Sequence, residues 1–578
     1  MIKPKKTIID AKGYETPLFY GDFVLKLDFN ENLIGPSPKV LDVLRNVSEK
    51  EVKFYPVYGE LIKAIAKFNN VDAKMVLPTN GADEAISYIF NTFVDRDDEV
   101  LTVKPTFAMP QIYARPTGCA YVEVPYSEKW VFPIDNFLAH INEKTKLILI
   151  TTPNSPTGEV ISEENLLKVI ETAKNSLVLI DETYANYTGK SYTHLLKTYN
   201  NVLITKSMSK DFAIAGLRLG YILSAPENIE FIRRIISPFS VNILAAKAGV
   251  AAINDIEHFE KVKNEIQHSK ALLVEGLSKI ADKVYPSQAN FLCVDFGKKA
   301  KFIYKKLLKS GIKVKYFEGD DELDGCFRMA IPPLDGAKFL LNSLKKKEMI
   351  IFDMDGVLID TSNSYRMAIK QTFEFFANTS VSFEEIQKAK NTGGLNNDWD
   401  LTEYLLKKSG MSVEENKIID KFQQIYFGEN NEGLINHEKW LIRKEMLIKL
   451  SKYFDLAVFT GRPRQEALFA LKNFGVSDLF EPVITMDDLP FNRQKPFPDG
   501  INTIIDIVNP QKVYYLGDTP DDMTAAKSAN VEGIGILPPH DKSLELKKLL
   551  QDKGAVVVLE STEKIFEYIG VDKCVQPL

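Results

Sequence analysis

The sequence predicts an α/β protein built as two parallel-sheet units in tandem, and three observations predict it. Short apolar runs (MVLP, LILITT, LVLID and NVLIT) alternate with helical patterns through the first part of the chain. That rhythm stops at the lysines Lys345–Lys347 and starts again with MIIFD, then LAVFT and VYYLGD. Between the first two of these, from about 365 to 450, the periodicity is mostly helical, which predicts a helical insertion. Strands apolar throughout and separated by helices belong to sheets covered on both faces.

Each element follows from its residues. EAISYIFNTF places Ile86, Ile89, Phe90 and Phe93 at helical spacing. LPTNGADEA passes from strand to helix at Gly81 and Ala82, TTPNSPTGE holds Asn154 in a Pro- and Gly-rich turn, and LVLIDETY ends a strand at Asp181 with Tyr184 three residues on. ITKSMSKDFAIAGLRLGY carries Ser207, Ser209, Lys210 and Arg218. In the second part, MIIFDMDGVLID ends a strand at Asp353 with Asp355 two residues later. In an extended segment these side chains share a face, so two carboxylates would converge and repel unless a cation stood between them. VFTGRP carries Thr460 at a strand end and then Arg462, QKPFPDG carries Lys495, and YYLGDTPDD carries Asp518 and Asp522. All four lie where strands pass into loops, the side on which open parallel sheets bind ligands.

Composition sets the outer bounds. At 578 residues the chain exceeds a single core, and about 150 residues per domain gives three or four compact units. A net charge of -6 gives no support for nucleic-acid binding. Cys119, Cys293, Cys326 and Cys574 lack the close sequence spacing of a zinc or redox motif, so reduced thiols are expected. MIKPKKTIIDAKGY has no apolar signal segment and no run approaches about 18 apolar residues, so a cytoplasmic location without membrane contact is expected.

The four motifs of the first part, in order and spacing over about residues 10 to 345, resemble the fold-type I aminotransferases of class I and II, which use pyridoxal phosphate. LDFNENLIGPSP, SQANFL and FRMAIPP are most similar to histidinol-phosphate aminotransferase. The resemblance implies a transferase fold with a large, mainly parallel sheet domain and a small α/β domain over residues 1–347. It implies that Lys210 joins the cofactor aldehyde and then moves the substrate's α-proton. Asp181 would keep the ring nitrogen protonated, Asn154 and Tyr184 would bond its phenolic oxygen, and Phe107 would stack on it. The cofactor phosphate would fall to the amides of Gly81 and Ala82 with Ser207, Ser209 and Arg218, and to Tyr55 of a neighbouring copy, which implies a homodimer. Arg328 would clamp a substrate carboxylate or phosphate, with Tyr20, Asn32 and Asn290 near the substrate.

The second set is similar to the phosphatases of the haloacid dehalogenase superfamily over about residues 348–570, and implies a Rossmann-like domain with a helical cap. Asp353 would be the nucleophile and Asp355 the acid and base. Thr460 and Lys495 would hold phosphoryl oxygens, as Arg462 could. Mg²⁺ would be bound by Asp353, Asp518 and the main-chain carbonyl of Asp355, assisted by Asp522. The cap loop with Gly393, Gly394, Asn396, Asn397, Asp398 and Trp399 would read the leaving group.

Together these resemblances imply a bifunctional enzyme of histidine biosynthesis. It would transfer an amino group from glutamate to imidazole-acetol phosphate, then hydrolyse the histidinol phosphate formed. An aromatic or other aminotransferase fused to a broad or phosphoglycolate-like phosphatase remains open, as does one half serving only to regulate the other.

Overall fold

The computed structural model describes residues 4–9, 13, 21–127, 130–390, 397–429 and 432–570. They form two compact units, Met1–Leu344 and Lys345–Leu578. Tyr20, Cys574 and the loop residues Gly393, Gly394 and Asn396 lie outside the described residues.

The first unit is built on a seven-stranded sheet: β1 (Val76–Thr79), β2 (Glu99–Lys104), β3 (Ala120–Pro125), β4 (Thr145–Thr151), β5 (Leu177–Asp181), β6 (Val202–Ser207) and β7 (Gly220–Ser224). The spatial order is β1-β7-β6-β5-β4-β2-β3. β7 alone runs antiparallel to its neighbours β6 and β1, and the remaining pairs are parallel. All six residues of β6 are buried, as expected for a strand covered on both faces. Helix α1 (Gly81–Phe93) follows β1 and buries Ala85, Ile86, Ile89 and Phe90. Phe93, expected on that buried stripe, is only half-buried and meets the edge of Phe231.

A smaller antiparallel sheet follows: β8 (Lys283–Val284), β9 (Phe291–Asp295), β10 (Lys315–Tyr316) and β11 (Cys326–Ala330), ordered β10-β11-β9-β8. This pairing brings together two cysteines that look remote in sequence: Cys293 and Cys326 are buried in one cluster as free thiols.

The second unit has a six-stranded, all-parallel sheet: β12 (Glu348–Phe352), β13 (Phe454–Phe459), β14 (Val483–Ile484), β15 (Val513–Gly517), β16 (Glu532–Ile536) and β17 (Val557–Leu559). Its order is β14-β13-β12-β15-β16-β17, so β12 is central. Between β12 and β13 the helical insertion includes α2 (Tyr365–Ala377), α3 (Phe383–Lys390), α4 (Asp398–Lys408) and α5 (Glu415–Tyr426), with an apolar core of their own that includes Ile369, Leu401 and Phe422. Their base is closed by a short antiparallel ladder pairing Ile359 with Trp440. Helix α6 (Pro520–Ser528) follows β15. Among the described residues no helix is long and apolar enough to cross a membrane.

Candidate active sites

In the first unit, β4, β5 and β6 end side by side. Thr151 lies opposite Asp181, and Asp181 opposite Thr205. Ser207 ends β6, and the loops leaving these strands carry Asn154, Tyr184, Ser209 and Lys210, so the sheet gathers the dispersed motifs at the ends of these strands. Asp181 is buried, and its Oδ1 accepts from the Thr183 N–H at 3.1 Å, the Thr183 hydroxyl at 2.7 Å and the Thr205 hydroxyl at 3.3 Å. Burial outweighs these bonds and pushes its carboxyl up to about 6. The Lys210 amine donates to the Phe29 carbonyl at 2.7 Å. Burial, with the nearby cation of Arg328, lowers its pKa to about 8. A lysine so tuned is neutral often enough near neutral pH to act as a nucleophile or base.

The Tyr184 hydroxyl accepts from Asn30 Nδ2 at 3.0 Å, and Asn290 Nδ2 donates to the Asn30 carbonyl at 3.0 Å. Asn30 has φ 55, a left-handed conformation that asparagine tolerates. Sequence reading passed it over, because nothing in DFNEN separates it from Asn32. Asn32 itself points elsewhere, donating to the Asp211 carbonyl at 3.2 Å. Both Asn154 amide hydrogens are engaged, by the Pro105 carbonyl at 3.0 Å and Thr157 Oγ1 at 2.9 Å. A ring oxygen at that place would have to displace the Thr157 contact. Phe107 is half-buried against the core cluster that holds Leu77 and Ile86.

The start of α1 has the features of an anion cradle. Asn80 gives no side-chain cap, and Gly81 has φ +82. A Cβ on Gly81 would sit 2.6 Å from Arg218 Nη2. Arg218 donates to Asp83 at 2.8 Å, and Ser209 donates its N–H to Ser207 Oγ at 3.2 Å. The Ser209 hydroxyl is buried without a partner. An unpartnered hydroxyl and a space that only glycine leaves open fit a bound phosphate. On β11, Arg328 reaches Ser155 Oγ at 3.1 Å and the Asp28 carbonyl at 2.6 Å, and its Nε is buried without a partner. Tyr55 stands apart from this group, 78% exposed and stacked on Phe239 at 4.4 Å.

In the second unit, β12, β13 and β15 deliver Asp353, Thr460 and Asp518 just beyond their C-terminal ends. Carboxylate oxygens of Asp353, Asp518 and Asp522 lie within 4.8 Å of one another. Lys495 bridges Asp353 Oδ1 at 2.8 Å and Asp522 Oδ1 at 2.7 Å. The Met354 N–H also donates to Asp353 Oδ1, at 2.7 Å. Burial, together with Asp522 and Asp355 and against Lys495, pushes the Asp353 carboxyl up to about 7. Asp518 is raised well above the usual carboxylate range, by burial first and then by Asp522, Asp353 and Asp355. Burial raises Asp522 as well, but Lys495 and hydrogen bonds from Thr519 and Tyr515 turn the balance and lower it. Three buried carboxyls, two of them pushed up by burial and then by one another, form a donor set that suits a divalent cation. Asp522 also closes a capping box with Thr519 at the start of α6. Gly356 has φ +72, and a Cβ there would fall 2.1 Å from Asp518 Oδ2.

Two expectations are corrected here. The Asp355 carboxylate does not join the other acids; its Oδ1 accepts from Arg462 Nε at 2.8 Å and Nη2 at 2.5 Å. The chain leaves the extended conformation after β12, so the i, i+2 argument fails, and the charge that meets Asp355 is a guanidinium. Arg462, read as a phosphate contact, has its donors turned to protein carboxylates. Thr460 is buried, and its Oγ1 accepts from the Arg462 N–H at 3.2 Å. A cleft of about 510 Å³ lies over Asp353, Asp355 and Asp518, lined from the helical insertion by Lys390, Asn397, Asp398 and Trp399. Lys390 pairs with Asp398 at 3.3 Å. Sequence reading also missed Glu438, which holds Arg462 from 24 residues away; a lone glutamate in NHEKW gives no signal of that.

These two sites and sheets define enzymes of two classes, and comparison with known proteins agrees. Residues 23–338 match the aminotransferase class I and II family, and the chain belongs to it. Residues 350–536 match the haloacid dehalogenase-like hydrolases, so the chain is a fusion of an aminotransferase domain with a hydrolase domain of that kind. The histidinol-phosphate aminotransferase of Methanocaldococcus jannaschii is 35% identical over 353 residues, 60% of this chain and 93% of that protein. That of Caldanaerobacter subterraneus subsp. tengcongensis is 32% identical over 329 residues, 56% of this chain and 92% of that protein. A crystal structure of the Sinorhizobium meliloti enzyme of the same name, in complex with pyridoxal-5'-phosphate, shares the fold with a TM-score of 0.52 and 22% identity, over 58% of this chain and 97% of that one.

The elevated Asp181 carboxyl carries a stability consequence. Its folded-state pKa lies above the ordinary 3.8, so the folded protein holds this proton more tightly and ionisation is a cost. The cost is absent below the ordinary value, grows as pH rises from 3.8 to about 6, and is complete above that. Asp181→Asn should therefore stabilise the cofactor-free protein by up to ~3 kcal/mol at pH 8. It should make little difference near pH 4. Urea unfolding at the two pH values reads this, and equal stability at pH 8 would refute it.

Proposed function

We propose that residues 1–347 transfer an amino group between glutamate and imidazole-acetol phosphate to give L-histidinol phosphate. In this reading residues 348–578 hydrolyse that phosphate ester with Mg²⁺. The convergence of Asp353, Asp518 and Asp522 within 4.8 Å around Lys495 carries the second activity. It stands on a chain whose other part is similar to histidinol-phosphate aminotransferases, so one site would make the other's substrate.

In the amino-transfer site Lys210, Asp181, Tyr184, Ser207, Ser209 and Arg218 would hold pyridoxal phosphate. The cofactor when bound supplies an aldehyde and an electron-poor ring that makes the substrate's α-proton acidic. Lys210 Nζ takes that proton and returns it. Asp181, ionised once a ring N–H faces it, fixes that proton on the nitrogen. Arg328 has a buried, unpartnered Nε and turns toward a substrate anion by releasing Ser155. The exposed Tyr55, beside the exposed Val52, Phe54 and Val57, would be covered by a second copy and complete that copy's phosphate site.

In the phosphatase site Asp353, Asp518 and the Asp355 carbonyl would hold Mg²⁺, which screens the anionic ester from the nucleophile. Lys495 and Met354 N–H both hold Asp353 Oδ1, which leaves Oδ2 to attack phosphorus. Asp355 gives a proton to the departing alcohol oxygen as its bond to phosphorus breaks. It then takes a proton from the water that hydrolyses the aspartyl phosphate.

A phosphate-release screen over histidinol phosphate, phosphoglycolate and sugar phosphates tests the assignment. Histidinol phosphate should give the highest kcat/KM, with release lost in EDTA while amino transfer continues. Preference for phosphoglycolate or a sugar phosphate would replace the substrate, and EDTA-resistant release would remove the metal.

A further inference from the structure

Arg462 follows β13 in the turn TGRP and is 1% exposed. Its guanidinium lies between two carboxylates. Nε and Nη2 donate to Asp355 Oδ1 at 2.8 and 2.5 Å, and Nη1 and Nη2 donate to Glu438 Oε2 and Oε1 at 3.1 and 2.8 Å. Nη1 also donates to the Tyr426 hydroxyl at 3.2 Å, and the guanidinium lies 4.8 Å above the Tyr365 ring. All five N–H groups are thereby committed, and none remains for a phosphoryl oxygen.

A buried guanidinium needs one carboxylate to balance it, and Glu438 already serves: it also accepts from Ser364 Oγ at 3.1 Å and from the Tyr426 hydroxyl at 3.0 Å. Asp355 is the surplus partner, and unlike Glu438 it opens on the catalytic cleft. Both contacts from Arg462 fall on Oδ1, so Oδ2 is the oxygen left to the cleft. The remaining partners belong to the helical insertion. Tyr365 begins α2, Tyr426 ends α5, and Glu438 stands just before the ladder at the insertion's base.

We infer that Arg462 is a positioning residue, which fixes the Asp355 carboxylate for proton transfer and ties that orientation to the seating of the helical insertion. The inference rests on the reading of Asp353 as nucleophile and Asp355 as acid and base. The step it governs is balanced: a proton on Asp355 Oδ2 passes to the ester oxygen as the P–O bond breaks. The same oxygen then takes a proton from the attacking water. An ester whose alcohol is a strong acid leaves without that proton, whereas an alkyl ester does not.

The test uses the full-length protein with Mg²⁺, glycerol 2-phosphate and p-nitrophenyl phosphate. In Arg462→Lys and Arg462→Met, kcat for glycerol 2-phosphate should fall at least about 100-fold with KM held within about threefold. With p-nitrophenyl phosphate, a burst of about one nitrophenol per site should persist at nearly the wild-type rate before slow turnover, since only the water step then needs Asp355. Glu438→Gln, which contacts no reacting atom, should shift kcat in the same direction by about tenfold. It decides the matter alone if thermal melting shows the Arg462 variants unfolded. A raised KM with kcat preserved, or loss of the burst in step with glycerol phosphate turnover, would overturn the positioning role while leaving the phosphatase reading intact. A wild-type protein that hydrolyses neither of these esters nor histidinol phosphate overturns both.

Discussion

Asp353→Asn should abolish phosphate release from histidinol phosphate, lowering it about 10⁴-fold or more, and leave amino transfer at the wild-type rate. Asparagine has nearly the same shape but cannot attack phosphorus. The fold should tolerate it, because burial already raises the Asp353 carboxyl to about 7, so at neutral pH its charge is held at a cost. Lys495 keeps Asp522 at 2.7 Å as its counter-ion. Phosphate release and glutamate-dependent amino transfer, assayed on one preparation, give the answer. Residual hydrolysis above about one hundredth would mean that another group attacks, and a parallel loss of amino transfer would mean that the substitution damages more than its own site.

The second large effect concerns Lys210. Lys210→Ala should lower amino transfer about 10⁴-fold or more, through loss of the amine that both joins the cofactor and moves the proton. Hydrolysis of histidinol phosphate should be unchanged. The same variant tests the shared site. If Tyr55 completes the site of a second copy, Tyr55→Ala is also impaired, and subunits of the two variants allowed to exchange should recover about a quarter of the wild-type sites by twofold symmetry. No recovery on mixing, with sedimentation showing that exchange occurred, would place Tyr55 outside its neighbour's site.

Much of this architecture could be read from the chain because parallel strands advertise themselves. LILIT and LVLID are apolar on both faces, and the residues that matter stand directly after them. Asp181 and Asp353 were therefore found by position as much as by motif. What stayed hidden depends on contacts between distant segments. Asn30 meets Tyr184 across 154 residues, and Arg462 meets Asp355 across 107. Neither pairing leaves a periodicity or a spacing to detect. The reading of Asp355 failed for a local reason: alternation of side chains holds only while the strand lasts, and β12 ends at Phe352, before the carboxylates begin. The partner that neutralises Asp355 could not be inferred from a rule about extended chains.

The central place of β12 bears on how the protein is made. Its neighbours are β13, which opens at Phe454, and β15, which opens at Val513. A nascent chain leaving the ribosome therefore exposes the segment bearing Asp353 long before either flanking strand has been synthesised. Such distant pairings form late. Translation halted before Val513 would leave a polypeptide whose signature DMD is flanked on one side only, by β13. The amino-transfer strands, all encoded upstream of Ile331, would by then already be complete.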